Sequence, residues 1–336
     1  MKGQNSRIGN KRRKRGRRHP ARRAAFLISL TAVIGLGAAG GILIWDQTRD
    51  YVTGYEKEVY NRQIYQGELL ATDLCVASGE VSLDGYLPDT SLHAAGLFDL
   101  EQEKVLCGYQ MFERLYPAST TKTMTAYVAL KYGNLDDVIT VSEHATDFNW
   151  DESVCGLRTG DTLTLYDLIC GLMLQSGNDA GTAIAEYISG SEEAFAELMN
   201  TEAAALGATG THFVNPHGLH DENHYTTAYD LYLIFQAALQ NDTFKEIITL
   251  DTYTASLTGS DGTVRAEEWE PTNYYSAGAA EAPAGIQVLG GKTGTTDEAG
   301  NCAILYDIDS ENHPYISVIM GAPDKDLLYV QMNELL

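Results

Sequence analysis

Strand-type sequence stands at both ends of the folded part of this chain, with helix-type sequence between, and that order constrains the architecture more than any other feature. Residues 69–77, 95–100 and 104–111 have β-type composition, and the polar residues 101–103 between the last two predict a hairpin. Strand character returns at 286–289, 301–308 and 315–320. The middle third predicts helices. One covers 119–132 and stops at Gly133, and another covers 165–174 and runs into a break at 176–178. Ser191 caps 192–206 ahead of Gly207, and Thr227 with Asp230 resembles a capping box before 231–239. An amphipathic helix closes the chain from Lys325. Such a pattern implies an α+β domain in which the two chain ends share one sheet.

A segment of different chemistry precedes this domain. Eleven of the 23 Lys and Arg residues lie in 1–23, whereas the first acidic residue of the 336-residue chain is Asp46. Residues 24–45 contain no charge and are long enough to span a bilayer as a helix. The basic tail 1–23 then stays cytoplasmic, 24–45 is a transmembrane anchor, 46–68 a polar stalk, and 69–336 the folded domain outside the cell. An uncleaved anchor is the preferred reading, because the small residues 37–41 are followed by further apolar sequence; cleavage near that run is the alternative. Beyond residue 45 the chain has 46 acidic residues against 12 basic ones, which argues against nucleic acid as a partner, since such affinity rests on phosphate neutralisation. The five cysteines match no zinc spacing; an extracytoplasmic location permits disulfides, yet they read mainly as small buried apolar residues.

Three short motifs carry chemistry. In the first, Ser119 and Lys122 sit one turn apart at a helix start marked by Pro117, so their side chains share a face. A serine hydroxyl needs an adjacent base, and a lysine serves when burial or a second cation keeps it neutral. In the second, Ser176 and Asn178 flank Gly177 on a loop at a helix end, where a hydroxyl can relay a proton and an amide can hold a substrate amide. In the third, Lys292, Thr293, Gly294 and Thr295 lie on an edge strand whose glycines admit a substrate backbone. Lys292 offers a cation to a carboxylate and lowers the pKa of Lys122. A phosphate-loop reading of this run fails, because residue 286 is Ile286 rather than glycine. Each motif alone is weak; their order and placement agree on a single site.

The set Ser-x-x-Lys, Ser-x-Asn and Lys-Thr-Gly resembles that of penicillin-binding proteins and serine β-lactamases. Its context, with Pro117-Ala118 before Ser119, Asp179-Ala180 after Asn178, and Asn215-Pro216-His217-Gly218-Leu219, is similar to the D-alanyl-D-alanine carboxypeptidase family of low-molecular-weight penicillin-binding proteins. The resemblance implies a β-lactamase/transpeptidase-like α+β fold, an antiparallel sheet flanked by helices with an adjoining helical lobe. It implies that Ser119 forms an acyl-enzyme with peptidoglycan stem peptides ending in D-Ala-D-Ala, with Lys122 as base and Ser176 as proton shuttle. Asn178, Lys292, Thr293, Gly294, Thr295 and His217 would bind substrate, the N–H groups of Ser119 and Thr295 would form an oxyanion hole, and β-lactams would acylate Ser119. No cofactor and no metal are implied.

Departures and rivals bear on this reading. The family pattern would place an arginine near the carboxylate pocket, where only Lys325 follows Pro323 and Arg265 is the substitute. A class A β-lactamase would need Glu-x-x-Leu-Asn, which residues 197–200 do not fit. D,D-endopeptidase or transpeptidase activity needs only a different bond or acceptor. His212, His217, His220 and His224 invite a zinc-protease reading, but no His-Glu-x-x-His helix is present. A non-catalytic wall-binding module would have no use for the base.

Overall fold

The computed structural model describes residues 73–336. The chain divides into two units, Met1–Leu69 and Leu70–Leu336, and only the second is described below. The basic tail, the anchor at 24–45 and the stalk expected from sequence lie outside the described residues. Among the described residues no helix is long and apolar enough to cross a membrane.

Five strands form the main sheet: β1 (Ala94–Asp99), β2 (Lys104–Tyr109), β7 (Ile286–Thr296), β8 (Gly300–Asp309) and β9 (Pro314–Ala322). Their order is β2-β1-β9-β8-β7, every pair antiparallel. β1 lies against β9, so the two ends of the domain do share one sheet, as their strand composition predicts. Period-two alternation gives this sheet two apolar faces. Ala303, Leu305 and Ile319 join the core beneath the closing helix α7 (Lys325–Leu335), with Leu328 and Met332. Cys302, Ile304, Val318 and Met320 face the larger core shared with the helices.

Helices α1 (Lys122–Tyr132), α2 (Leu165–Met173), α3 (Asn178–Ser189), α4 (Glu192–Ala205), α5 (Ala228–Ala238) and α6 (Asp242–Ile248) form the lobe. Their starts are set by local chemistry. Thr164 and Asp167 make a complete capping box for α2, Ser191 accepts from Ala194 N at α4, and Thr227 accepts from Asp230 N at α5. Phe98 of β1 stacks on Tyr232 of α5, with centroids 4.0 Å apart, and so fixes sheet to lobe.

Two features depart from the sequence reading. Asp73–Ala77, the described part of the expected strand at 69–77, forms no strand. Its backbone is satisfied instead by α5: Cys75 N donates to Tyr232 Oη at 2.7 Å and Tyr229 Oη donates to Cys75 O at 2.9 Å. A second sheet, β3 (Val138–Thr140), β4 (Thr162–Thr164), β5 (Tyr253–Thr258) and β6 (Val264–Trp269), was not legible. β3 and β4 are only three residues long and β6 carries three charges; β5 does alternate apolar with polar residues, a signal the sequence reading passed over.

Candidate active site

The three motifs meet at a cavity of about 850 Å³ between the lobe and the edge strand β7. Ser119, Ser176, Asn178, Thr293, Gly294 and Thr295 line it. Ser119 sits in a 3-10 turn, Ala118–Thr121, that runs directly into α1 with Lys122 as its first residue. Ser176 connects α2 to α3 with a left-handed backbone, φ +62°, an unusual state for a residue with a side chain. Asn178 opens α3.

Lys122 is completely buried and its Nζ has three partners: Ser119 Oγ at 2.9 Å, Asn178 Oδ1 at 2.7 Å and His217 O at 2.7 Å. Burial holds its pKa well below the ordinary lysine value, and the positive charge of Lys292 pushes the same way. In the neutral amine, two N–H bonds satisfy the two carbonyl oxygens, and the lone pair is left for the proton of Ser119 Oγ. The arrangement can therefore deprotonate the serine without any other group moving.

Lys292 is also buried, and burial lowers its pKa to about 7. Its Nζ donates to Thr293 O at 2.7 Å. The hydroxyls of Thr293 and Thr272 are 2.7 Å apart, and Thr295 Oγ1 donates to Asn301 Oδ1. β7 approaches the serine turn so closely that a Cβ on Gly294 would stand 2.6 Å from Ser119 N. Gly218, at φ +89°, backs the turn from the other side; a Cβ there would stand 1.9 Å from Ala118 O.

The motif residues come together, but two residues, His217 and Arg265, sit differently from the sequence reading. The His217 ring does not line the cavity. It faces Glu192, Nε2 to Oε1 at 3.5 Å, and its backbone carbonyl is the group that reaches Lys122. Arg265 lies on β6, bound to Asp161 at 2.6 Å and to Glu267, and does not supply the cavity with a cation. Lys325 does line it, at the start of α7. The histidines diverge. His224 Nδ1 accepts from Val214 N, which leaves its Nε2–H to donate to Thr121 Oγ1, while His212 bonds Asn223 O. Among the described residues no three His, Cys, Asp or Glu side chains converge as a metal site requires.

Sequence reasoning missed one wall of the cavity, residues Asn149, Asp151, Glu152 and Ser153, together with Glu298; His220, weighed there only as a zinc ligand, lines the cavity too. These lie on irregular loops whose composition is that of any solvated surface, so no local signal marks them. It also gave no role to Asp179, a buried carboxyl directly after Asn178.

Comparison with known proteins yields consistent relatives. The family model described as D-alanyl-D-alanine carboxypeptidase, peptidase S11, matches residues 86–324. The D-alanyl-D-alanine carboxypeptidase DacF of Bacillus subtilis (strain 168) is 32% identical over 253 residues, covering 72% of this chain and 60% of its own. DacC of Escherichia coli (strain K12), of the same description, is 39% identical over 167 residues, 46% of this chain and 41% of its own. The chain thus spans at most about three-fifths of the length of these two relatives. Among solved structures, the Streptomyces K15 DD-transpeptidase superposes with a TM-score of 0.68 at 27% identity, covering 74% of this chain and 96% of its own. The fold is that of this DD-peptidase, an antiparallel sheet flanked by helices.

Proposed function

Because the chain belongs to the D-alanyl-D-alanine carboxypeptidase family, with the family match running from residue 86 to 324, we propose that it is a serine-type D-Ala-D-Ala carboxypeptidase acting on peptidoglycan stem peptides. The observation that carries this reading is the wholly buried Lys122 Nζ, 2.9 Å from Ser119 Oγ with its two other partners fixed.

Neutral Lys122 takes the proton of Ser119, and Ser119 Oγ attacks the carbonyl carbon between the last two D-alanines. The oxyanion is met by the backbone N–H groups of Ser119 and Thr295. The proton held on Lys122 passes through Ser176 to the amine of the departing D-alanine, the C–N bond breaks, and an ester to Ser119 remains. Water then attacks that ester, with Lys122 again the base. Asn178 holds the peptide amide, while Lys292, Thr293, Gly294 and Thr295 hold the terminal carboxylate; His217 contributes through its carbonyl. A β-lactam presents an equivalent amide and acylates the same oxygen.

The remaining assignments rest on sequence. Residues 1–23 are a cytoplasmic tail, 24–45 a single-pass anchor in the bacterial cell membrane, 46–68 a stalk, and 69–336 an extracytoplasmic catalytic domain. Transpeptidation is the second reading, supported by the likeness to the Streptomyces K15 DD-transpeptidase.

Incubating the full-length protein with a peptide ending in D-Ala-D-Ala tests the proposal. Wild type is expected to release D-alanine and Ser119→Ala to release none. Both readings release D-alanine when Ser119 is acylated; capture of the acyl group by an added D-amino acid in place of its hydrolysis to the shortened peptide acid would select the second reading.

A further inference from the structure

We propose that Asp179 is a positioning residue for acylation, one that clamps the cavity wall to the first turn of α3 and keeps a buried carboxylate one residue from Asn178, a direct partner of Lys122. The inference rests on the proposed use of Lys122 as the base toward Ser119.

Asp179 is 1% exposed, and its carboxylate points back across the loop that forms the missed cavity wall. Oδ1 accepts from Cys155 N at 2.8 Å and from Ala180 N at 2.9 Å; Oδ2 accepts from Cys155 N at 2.9 Å and from Leu157 N at 3.1 Å. Two more bonds complete the tie: Asn178 N donates to Ser153 O at 2.8 Å, and Trp269 Nε1 donates to Cys155 O at 3.1 Å. The loop from Ser153 to Leu157 has no regular secondary structure of its own. Side chains and backbone of other elements therefore determine where Ser153 stands in the cavity.

The clamp leaves no slack. A Cβ on Gly177 would lie 2.2 Å from Cys155 Sγ and 2.7 Å from Asp179 Oδ1. The residue between them in the chain, Asn178, is the one whose Oδ1 accepts from Lys122 Nζ. A shift of Asp179 is thus passed to a direct partner of the base.

The electrostatic part has a definite sign. Four groups interact with Lys122: Lys292 opposes its positive charge, Asp179 favours it, Cys155 is kept a neutral thiol by burial, and His217 is a buried ring with a lowered pKa. Burial pushes the Asp179 carboxyl upward, while its backbone N–H donors favour the ionised form. An ionised Asp179 keeps Lys122 from becoming too weak a base to capture the Ser119 proton. Removing that charge makes Lys122 lose its proton at lower pH.

The test is the pH dependence of acylation of the full-length protein by a labelled penicillin, in wild type and Asp179→Asn. The acid limb of the variant is expected about half a pH unit or more below that of wild type. Its plateau is expected to fall about tenfold as the clamp loosens. The limb decides. If it stays in place or moves upward, Asp179 is only a structural prop and the inference is overturned, whatever the plateau does. Asp179→Ser, smaller and equally neutral, carries the same expectation if the asparagine variant does not fold. A wild type that is not acylated at all refutes the proposed function; an acylated wild type with an unmoved variant limb refutes this inference alone.

Discussion

Gly294 faces the serine turn so closely that a single added carbon on it would stand 2.6 Å from Ser119 N, 2.9 Å from Thr120 N and 3.0 Å from Ala118 Cβ. The edge strand and the turn that carries the nucleophile are therefore in backbone contact, and the distance between Thr295 and Ser119 is set by the absence of a side chain.

Gly294→Ala is expected to force that contact apart. Acylation by penicillin should slow about 100-fold, because misplacement of reacting groups by an ångström has that scale. Overpacking should cost about 1–3 kcal/mol in thermal denaturation. A variant acylated at close to the wild-type rate would show that β7 does not form one side of the reacting centre.

The two buried lysines are expected to give a bell-shaped profile of kcat/KM against pH for D-alanine release. Lys122 must be neutral to act, which gives the acid limb. Lys292 must be charged to hold the terminal carboxylate, and burial lowers its pKa to about 7, so the free enzyme should lose substrate affinity as pH rises through that value. Lys292→Arg, which stays charged, should move the alkaline limb upward. A profile of kcat/KM that stays flat from pH 7 to 9 would remove Lys292 from carboxylate binding.

Asp307 of β8 makes the core pH-sensitive. Its Oδ2 accepts from Ser317 Oγ at 2.6 Å, but the buried Oδ1 has no partner. Burial raises its pKa from 3.8 to about 7. A raised folded-state pKa contributes stability that is complete below the unfolded value and is lost as pH rises through the folded value. Asp307→Asn should therefore stabilise the protein at pH 8, by on the order of 2–4 kcal/mol, and have little effect at pH 4. Equal melting temperatures for the two proteins at pH 8 would contradict this.

The five cysteines are all buried and unpaired. Burial raises the pKa of Cys75 and Cys170 to about 12 and of Cys107 and Cys302 to about 11, and raises that of Cys155 well above its ordinary value. The native protein should leave thiol reagents unreacted at pH 8 and titrate five thiols once denatured, with a melting temperature unchanged by reductant. Fast labelling of the native protein would contradict this burial.

The sheet was legible because its strands are apolar and its two ends carry the same signal; that the two ends share one sheet was expected, while the pairing of β1 with β9 comes from the structure. Helix ends were legible wherever a side chain caps them, as Ser191 and Thr227 do. The motif residues were legible because each is reactive in kind and correct in order. The small second sheet was not: β3 and β4 are three residues each, and only the pairing of Thr162 with Thr258 joins them to the β5–β6 hairpin. The inward turn of the His217 carbonyl and the clamp of Asp179 were equally hidden. Both arise from tertiary placement, and a histidine or aspartate on a loop carries no sign of which atom will be used.

The most direct test of the account is the mass of the peptide containing Ser119 after the full-length protein has reacted with benzylpenicillin. The account predicts one equivalent of penicilloyl adduct on Ser119, absent in Ser119→Ala and strongly slowed in Lys122→Met. No adduct on wild type, or an adduct that persists in Ser119→Ala, would contradict it.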